Sequence, residues 1–184
     1  MKYLRKFNES LNDIDSICKE YDIKNYTINN DGSIDVDGDV NLTNRRLSKL
    51  PLKFGSVSVD FNCYNNQLTS LQGAPEFVGV SFNCHNNQLT TLEGAPKSVH
   101  EDFNCQDNQL TSLEGVPISV GGDFYCEGNP VESIWNLFMD YSEVEFFNDY
   151  DVIRGDKVIL DRLNDFLIYI GKPPVSKVDG YINI

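Results

Sequence analysis

Histidine and tryptophan are almost missing from this chain of 184 residues, which holds two histidines, His85 and His100, and one tryptophan. Two imidazoles leave little for general acid-base chemistry or metal binding. Positive charge is also scarce: 15 Lys and Arg stand against 28 Asp and Glu, a net charge of -13 and a sequence pI near 4.4. A phosphate backbone would be repelled by such a surface, so direct nucleic-acid binding is not expected. The weak basic groups Lys2, Arg5, Lys6 and Arg45, Arg46, Lys49, Lys53 lie among acids and read as solvated surface. Long apolar runs are absent too. The longest, Phe166 to Ile170, falls far short of the ~20 residues that span a bilayer. The start, Met1 to Glu9, is basic but has no apolar stretch after it, so neither a secretory signal nor a membrane association is expected. No G-x-x-x-x-G-K-[ST], no H-E-x-x-H and no Ser-His-Asp context occurs, which leaves kinase, zinc-protease and hydrolase readings without support. The expectation is a protein with no enzyme activity, no cofactor and no metal.

A repeat dominates what is present. Phe61-Asn62-Cys63, Phe82-Asn83-Cys84, Phe103-Asn104-Cys105 and Phe124-Tyr125-Cys126 recur every 21 residues. Asn66, Asn87, Asn108 and Asn129 share a column, followed by Leu68, Leu89, Leu110, Val131 and by Leu71, Leu92, Leu113, Ile134. Gly73, Gly94, Gly115 with Pro75, Pro96, Pro117 mark a turn, and Val78, Val99, Val120 restore an apolar position. Val40, Leu42, Leu47, Leu50 and Val57 form a degenerate earlier copy, giving about five rungs.

Alternation from Asp60 to Tyr64 puts Phe61 and Cys63 on one side of a strand and Asp60, Asn62 and Tyr64 on the other. Rungs stacked in parallel at ~4.8 Å set each Phe over the next Phe and each Cys over the next Cys, so no rung buries its face alone. The expected core is therefore Phe61, Cys63, Phe82, Cys84, Phe103, Cys105, Phe124 and Cys126. Five cysteines are an odd set with four at one repeat position, which is a packing pattern and points to free thiols in a reducing cytoplasm. Zinc needs four ligands around one point, whereas this column spreads over three rung spacings, ~14 Å.

The unit F-x-C-x-x-N-x-L-T-x-L-x-G-x-P-x-x-V resembles the leucine-rich repeat, from about Val36 to Ile134. Its short rungs are similar to those of type III secreted effectors. A Gly-x-Pro turn replaces their Pro-rich one, and Phe and Cys take sites that are usually Leu, Ile or Val. The Gly-x-Pro variety with an Asp-Gly hairpin looks closest to repeat proteins encoded by tailed bacteriophages. The resemblance implies an α/β leucine-rich-repeat solenoid with short parallel strands lining a concave face, acting in a bacterial host cytoplasm. It also implies an Asn column bonded to neighbouring backbone. Some repeat effectors carry a cysteine-dependent ubiquitin-ligase domain, but no cysteine follows Cys126.

The ends read as caps. Asn8 or Ser10 can cap a helix through about Tyr21, with Leu11, Ile14, Ile17, Cys18 and Tyr21 as its apolar stripe. Tyr26 to Val36 reads as two strands about Asp31-Gly32. Alternating Ile34 and Val36 outweigh a likeness of Asp31 to Asp39 to a calcium loop. Beyond Pro130, Val131 to Phe138 and Ser142 to Phe147 read as short helical pieces, and Asp156 as the N-cap of a helix through about Ile170. The tail around Asp179-Gly180 can add a strand. Residues 1–39 then form an N-terminal helix and β-hairpin cap, 40–134 the repeats, and 135–184 a helical C-terminal cap.

The expected interaction surface is the outward strand face, in three columns: Asp60, Ser81, Asp102, Asp123; Asn62, Asn83, Asn104, Tyr125; and Tyr64, His85, Gln106, Glu127. Aromatic, amide and carboxylate groups mix there as on a protein-recognition surface. The Asn column is equally readable as a ladder stabilising parallel stacking. Variation in the third column favours contact there, and the carboxylates favour a protein partner with a basic surface. An acidic inhibitor imitating nucleic acid and a structural virion component are the alternatives. His100 reads as solvated surface.

Overall fold

A computed structural model describes residues 13–111, 113–131, 134, 137, 150, 152–154 and 157–184. It forms a β-solenoid of about six turns with parallel strands and two helices among those residues. Helix α1 covers residues 13–20 and buries Ile14 and Cys18; Asn8, Ser10 and Leu11 lie outside the described residues. Strands β1 (Tyr26–Ile28) and β2 (Ile34–Val36) pair antiparallel, Tyr26 against Val36. Their turn closes through Asn29 N–H donating to Ser33 O at 2.8 Å, with Gly32 at φ 80°. The Tyr26 hydroxyl donates to Asp15 at 2.6 Å and ties the hairpin to α1.

From β2 onward each turn contributes a strand to two sheets. The five-stranded sheet holds β3 (Val40–Asn41), β5 (Phe61–Asn62), β7 (Phe82–Asn83), β9 (Phe103–Asn104) and β11 (Phe124–Tyr125), all parallel. The six-stranded sheet runs β1, β2, β4 (Phe54–Val57), β6 (Phe77–Val78), β8 (Ser98–Val99), β10 (Ser119–Val120). This second sheet was not anticipated. Its inner residues Val57, Val78 and Val99 are buried, but each short strand offers only one or two apolar positions, too few to announce a strand.

The space between the sheets is the core. Phe61, Phe82, Phe103 and Phe124 stack with ring centroids 5.3, 5.3 and 5.5 Å apart and planes within 11°. Each fully buried phenylalanine contributes ~1.5–3 kcal/mol of transfer free energy. Cys63, Cys84, Cys105 and Cys126 stand beside them at 0 % exposure as free thiols. Leu68, Leu71, Leu89, Leu92, Leu110 and Leu113 fill the third side.

Backbone polar groups at the tight corner are satisfied by a buried amide ladder. Asn108 Nδ2 donates to Cys84 O at 3.1 Å and Cys105 O at 3.0 Å, and its Oδ1 accepts Leu89 N–H at 3.0 Å. Asn87 and Asn129 repeat this pattern, and Asn66 does so at the first full turn. Just before each ladder Asn the chain turns through positive φ at Asn65, Asn86, Asp107 and Gly128, residue types that tolerate the left-handed region. The Gly-x-Pro corner uses the same freedom: Gly115, at φ 85°, lies so close to Leu92 and Glu93 backbone that a Cβ would collide.

After the repeats, β12 (Ile153–Arg154), β13 (Lys157–Val158) and β14 (Ile182–Asn183) form a three-stranded sheet around α2 (Leu160–Tyr169), which buries Leu163, Phe166 and Leu167. The expected helix start at Asp156 is corrected. The N-cap is Ile159, with no side-chain cap bond, because Lys157 and Val158 pair with strands on both sides. The described part of this region combines a helix and the tail strand β14 with two further strands, β12 and β13, that the residues did not announce. Asp156 and most of 131–149 lie outside the described residues.

Candidate interaction surface

The outward columns form a ribbon on the five-stranded sheet, and intramolecular bonds distinguish them. In the first column, side-chain oxygens accept the backbone N–H of the next turn. Asp39 accepts from Asp60 at 3.2 Å, Asp60 from Ser81 at 3.0 Å, Ser81 from Asp102 at 3.4 Å and Asp102 from Asp123 at 2.9 Å. These carboxylates make an acidic stripe broken at Ser81, with one oxygen of Asp39, Asp60 and Asp102 held by the fold.

The second column is half-buried and partly a ladder: Asn83 Nδ2 donates to Asn62 Oδ1 at 2.8 Å. Asn104 instead bonds Gln106, accepting its backbone N–H at 3.0 Å and donating to its Oε1 at 3.2 Å. Tyr125 donates its hydroxyl to Asp123 at 3.0 Å, which raises the pKa of the phenol.

The third column is the most varied. Tyr64 and His85 stack at 4.4 Å with planes 12° apart, and Gln106 Nε2 donates to Glu127 at 2.5 Å. His85 is half-buried, and its Nδ1 is buried with no hydrogen-bond partner among the described residues. That burial holds its pKa below the usual imidazole range, against an opposing pull from Asp107. His100 lies apart from this ribbon and is exposed.

The thiols behind the ribbon are chemically quiet: burial pushes the pKa of Cys63, Cys84 and Cys105 up, disfavouring the reactive thiolate. Among the described residues no group of three His, Cys, Asp or Glu could hold a metal ion. No helix there is long and apolar enough to cross a membrane. In the Asp31 to Asp39 segment, Asp31 bonds Ser33 and Lys53, and Asp35 accepts from Ser56 N–H at 2.8 Å.

No family model, curated protein or solved structure matches this chain.

Two open hollows flank the ribbon's scaffold. A trough of about 710 Å³ runs along the Gly-x-Pro corner over Gly73, Ala74, Gly94 and Ala95, walled by the ion pairs Asp31–Lys53 and Glu76–Lys97. A cleft of about 630 Å³ lies at the first turn between Tyr21, Asp22 and Asn41, Thr43, Arg45. Arg45 occupies the ladder-Asn position at the turn where no earlier turn is bridged, and its guanidinium lies 5.8 Å over the Tyr21 ring. Neither hollow was anticipated from sequence. The backbone-binding role of the first column was also missed, since it needs the register between turns. The 21-residue recurrence of Asp60 and Asp102 beside backbone positions was the available signal.

Proposed function

We propose that the chain is a non-enzymatic interaction scaffold that binds a protein partner through the outer face of the five-stranded sheet. The observation that carries this reading is the contrast between columns. The first is used to hold successive backbone turns together, so its near-constancy has a structural cause. The third varies through Tyr64, His85, Gln106 and Glu127 on an otherwise constant frame. Variation without structural need is what recognition uses, and the stacked Tyr64 and His85 rings supply a rigid anchor at little entropic cost.

Asp60, Asp102, Asp123 and Glu127 are on the ribbon and no Lys or Arg is among its twelve positions, so the partner presents a basic surface. The leucine-rich-repeat type, capping roles for residues 1–39 and 135–184, a bacteriophage source and action in a host cytoplasm belong to the same reading. Recovery of partners from bacterial lysate by the wild-type chain, and their loss with the Tyr64→Ala/His85→Ala/Glu127→Ala variant, is the expected result. Equal recovery by both proteins rules out this face. The acidic stripe supports a second reading, an imitation of nucleic acid that blocks a DNA- or RNA-processing enzyme. Binding that collapses between low and moderate salt favours that reading over an aromatic-anchored contact.

A further inference from the structure

We propose that His85 is an acid-sensitive latch of this surface, stacked on Tyr64 while neutral and expelled from the stack when protonated. The geometry stands alone, while its regulatory consequence rests on the interface reading above. The rings lie 4.4 Å apart and nearly parallel, and His85 Nδ1 sits buried without a hydrogen-bond partner among the described residues.

A neutral imidazole tolerates such a site by keeping the lone pair on Nδ1 and the proton on Nε2. The imidazolium cannot. Both of its nitrogens are donors, so protonation places an N–H where no acceptor waits and a charge where water is partly excluded. The Tyr64 face attracts a cation, but none of the groups around the ring offers the buried Nδ1–H an acceptor. From the preceding turn come Tyr64 and Asn65, with Asn65 Oδ1 already accepting from Asn86 Nδ2 at 2.6 Å. From the following turn come Gln106, whose Nε2 is directed to Glu127, and Asp107. Asp107 is exposed and is the carboxylate that favours the protonated ring, yet burial outweighs it and the pKa is lowered. No Lys or Arg lies in these columns.

Once protonated, the ring therefore gains by rotating into solvent, where Asp107 can pair with it. Tyr64 is then uncovered, and the middle of the ribbon changes both shape and charge. A basic partner docked on the neutral stack is released in mild acid.

The test is an NMR titration of the full chain from neutral to mildly acidic pH, following the His85 imidazole and the Tyr64 ring, with His85→Gln as control. Gln occupies the same column at position 106, so this variant should fold. The expected result is protonation of His85 below the ordinary ~6.5, movement of the Tyr64 signals with the same midpoint, and loss of the ring-to-ring nuclear Overhauser contact. The Tyr64 transition should vanish in H85Q. A His85 midpoint at or above ~6.5, or a ring contact that survives protonation, overturns the latch. The titration contains no partner, so its failure leaves the lysate comparison standing. Failure of that comparison at neutral pH removes the interface and leaves the ring movement intact.

Discussion

Replacing Asn108 by alanine removes one rung of the buried ladder, and the cost follows from what loses its partner. Leu89 N–H donates to Asn108 Oδ1 at 3.0 Å and is left buried without its acceptor. Cys84 O also accepts from Asn87, and Cys105 O also accepts from Asn129, so each carbonyl keeps one donor. An orphaned buried amide costs ~1–3 kcal/mol, and each weakened carbonyl bond adds up to about 1 kcal/mol. Asn108→Ala should therefore destabilise by about 3 kcal/mol, which lowers Tm by ~6–12 °C in a chain of this size. Equilibrium urea unfolding measures it, with an unchanged m-value showing that the denatured state is unaffected. Asn104→Ala on the outer ribbon, half-buried and bonded to Gln106, is the comparison. A loss of less than ~1 kcal/mol at Asn108, or one equal to that at Asn104, would refute the ladder's structural role.

Other perturbations separate the remaining forces. Phe82 is stacked at 5.3 Å on both sides, so Phe82→Ala should cost ~3–5 kcal/mol by calorimetry, more than Phe124→Ala at the 8 % exposed end of the column. Gly32 and Gly115 share a left-handed φ, 80° and 85°, but a Cβ meets nothing within 4 Å at Gly32 and meets backbone at Gly115. Gly32→Ala should cost only the ~1–2 kcal/mol of strain, with Gly115→Ala clearly costlier in the same unfolding assay. Lys53 first and then Ser33 hold the Asp31 carboxyl below its usual range, and the Ser56 bond does the same for Asp35. Groups with a depressed folded pKa stabilise the fold above the unfolded carboxylate pKa of ~3.9 and lose that contribution as pH falls through the folded value. Acid unfolding should be shallower in Asp35→Asn, and an unchanged pH profile would contradict the assignment.

The five-stranded sheet was legible because Phe61 and Cys63 recur with their neighbours at a fixed interval, and alternation sets which side faces inward. The hairpin was legible from Asp31-Gly32 between alternating residues, a signal strong within ten residues. The six-stranded sheet was not. Glu76-Phe77-Val78 and Lys97-Ser98-Val99 each bury a single apolar residue, and their strand state comes from stacking on the turn before. Lys157 and Val158 look like the first turn of a helix until Ile182 and Asn183, far along the chain, pair with them. On the ribbon, residue types and columns were readable, whereas the bonds that divide scaffold from contact surface needed the register. The αL column Asn65, Asn86, Asp107, Gly128 was visible in the letters and became meaningful only with measured φ.

The most direct test counts reactive thiols in the native protein by mass spectrometry after brief exposure to a small alkylating reagent. With Cys63, Cys84, Cys105 and Cys126 stacked in a sealed column, the native chain should gain no adduct at these four positions and the urea-unfolded chain should gain all of them. Prompt modification of the four in the native state would mean that the turns do not stack as described, and the ribbon built on that stacking would go with them.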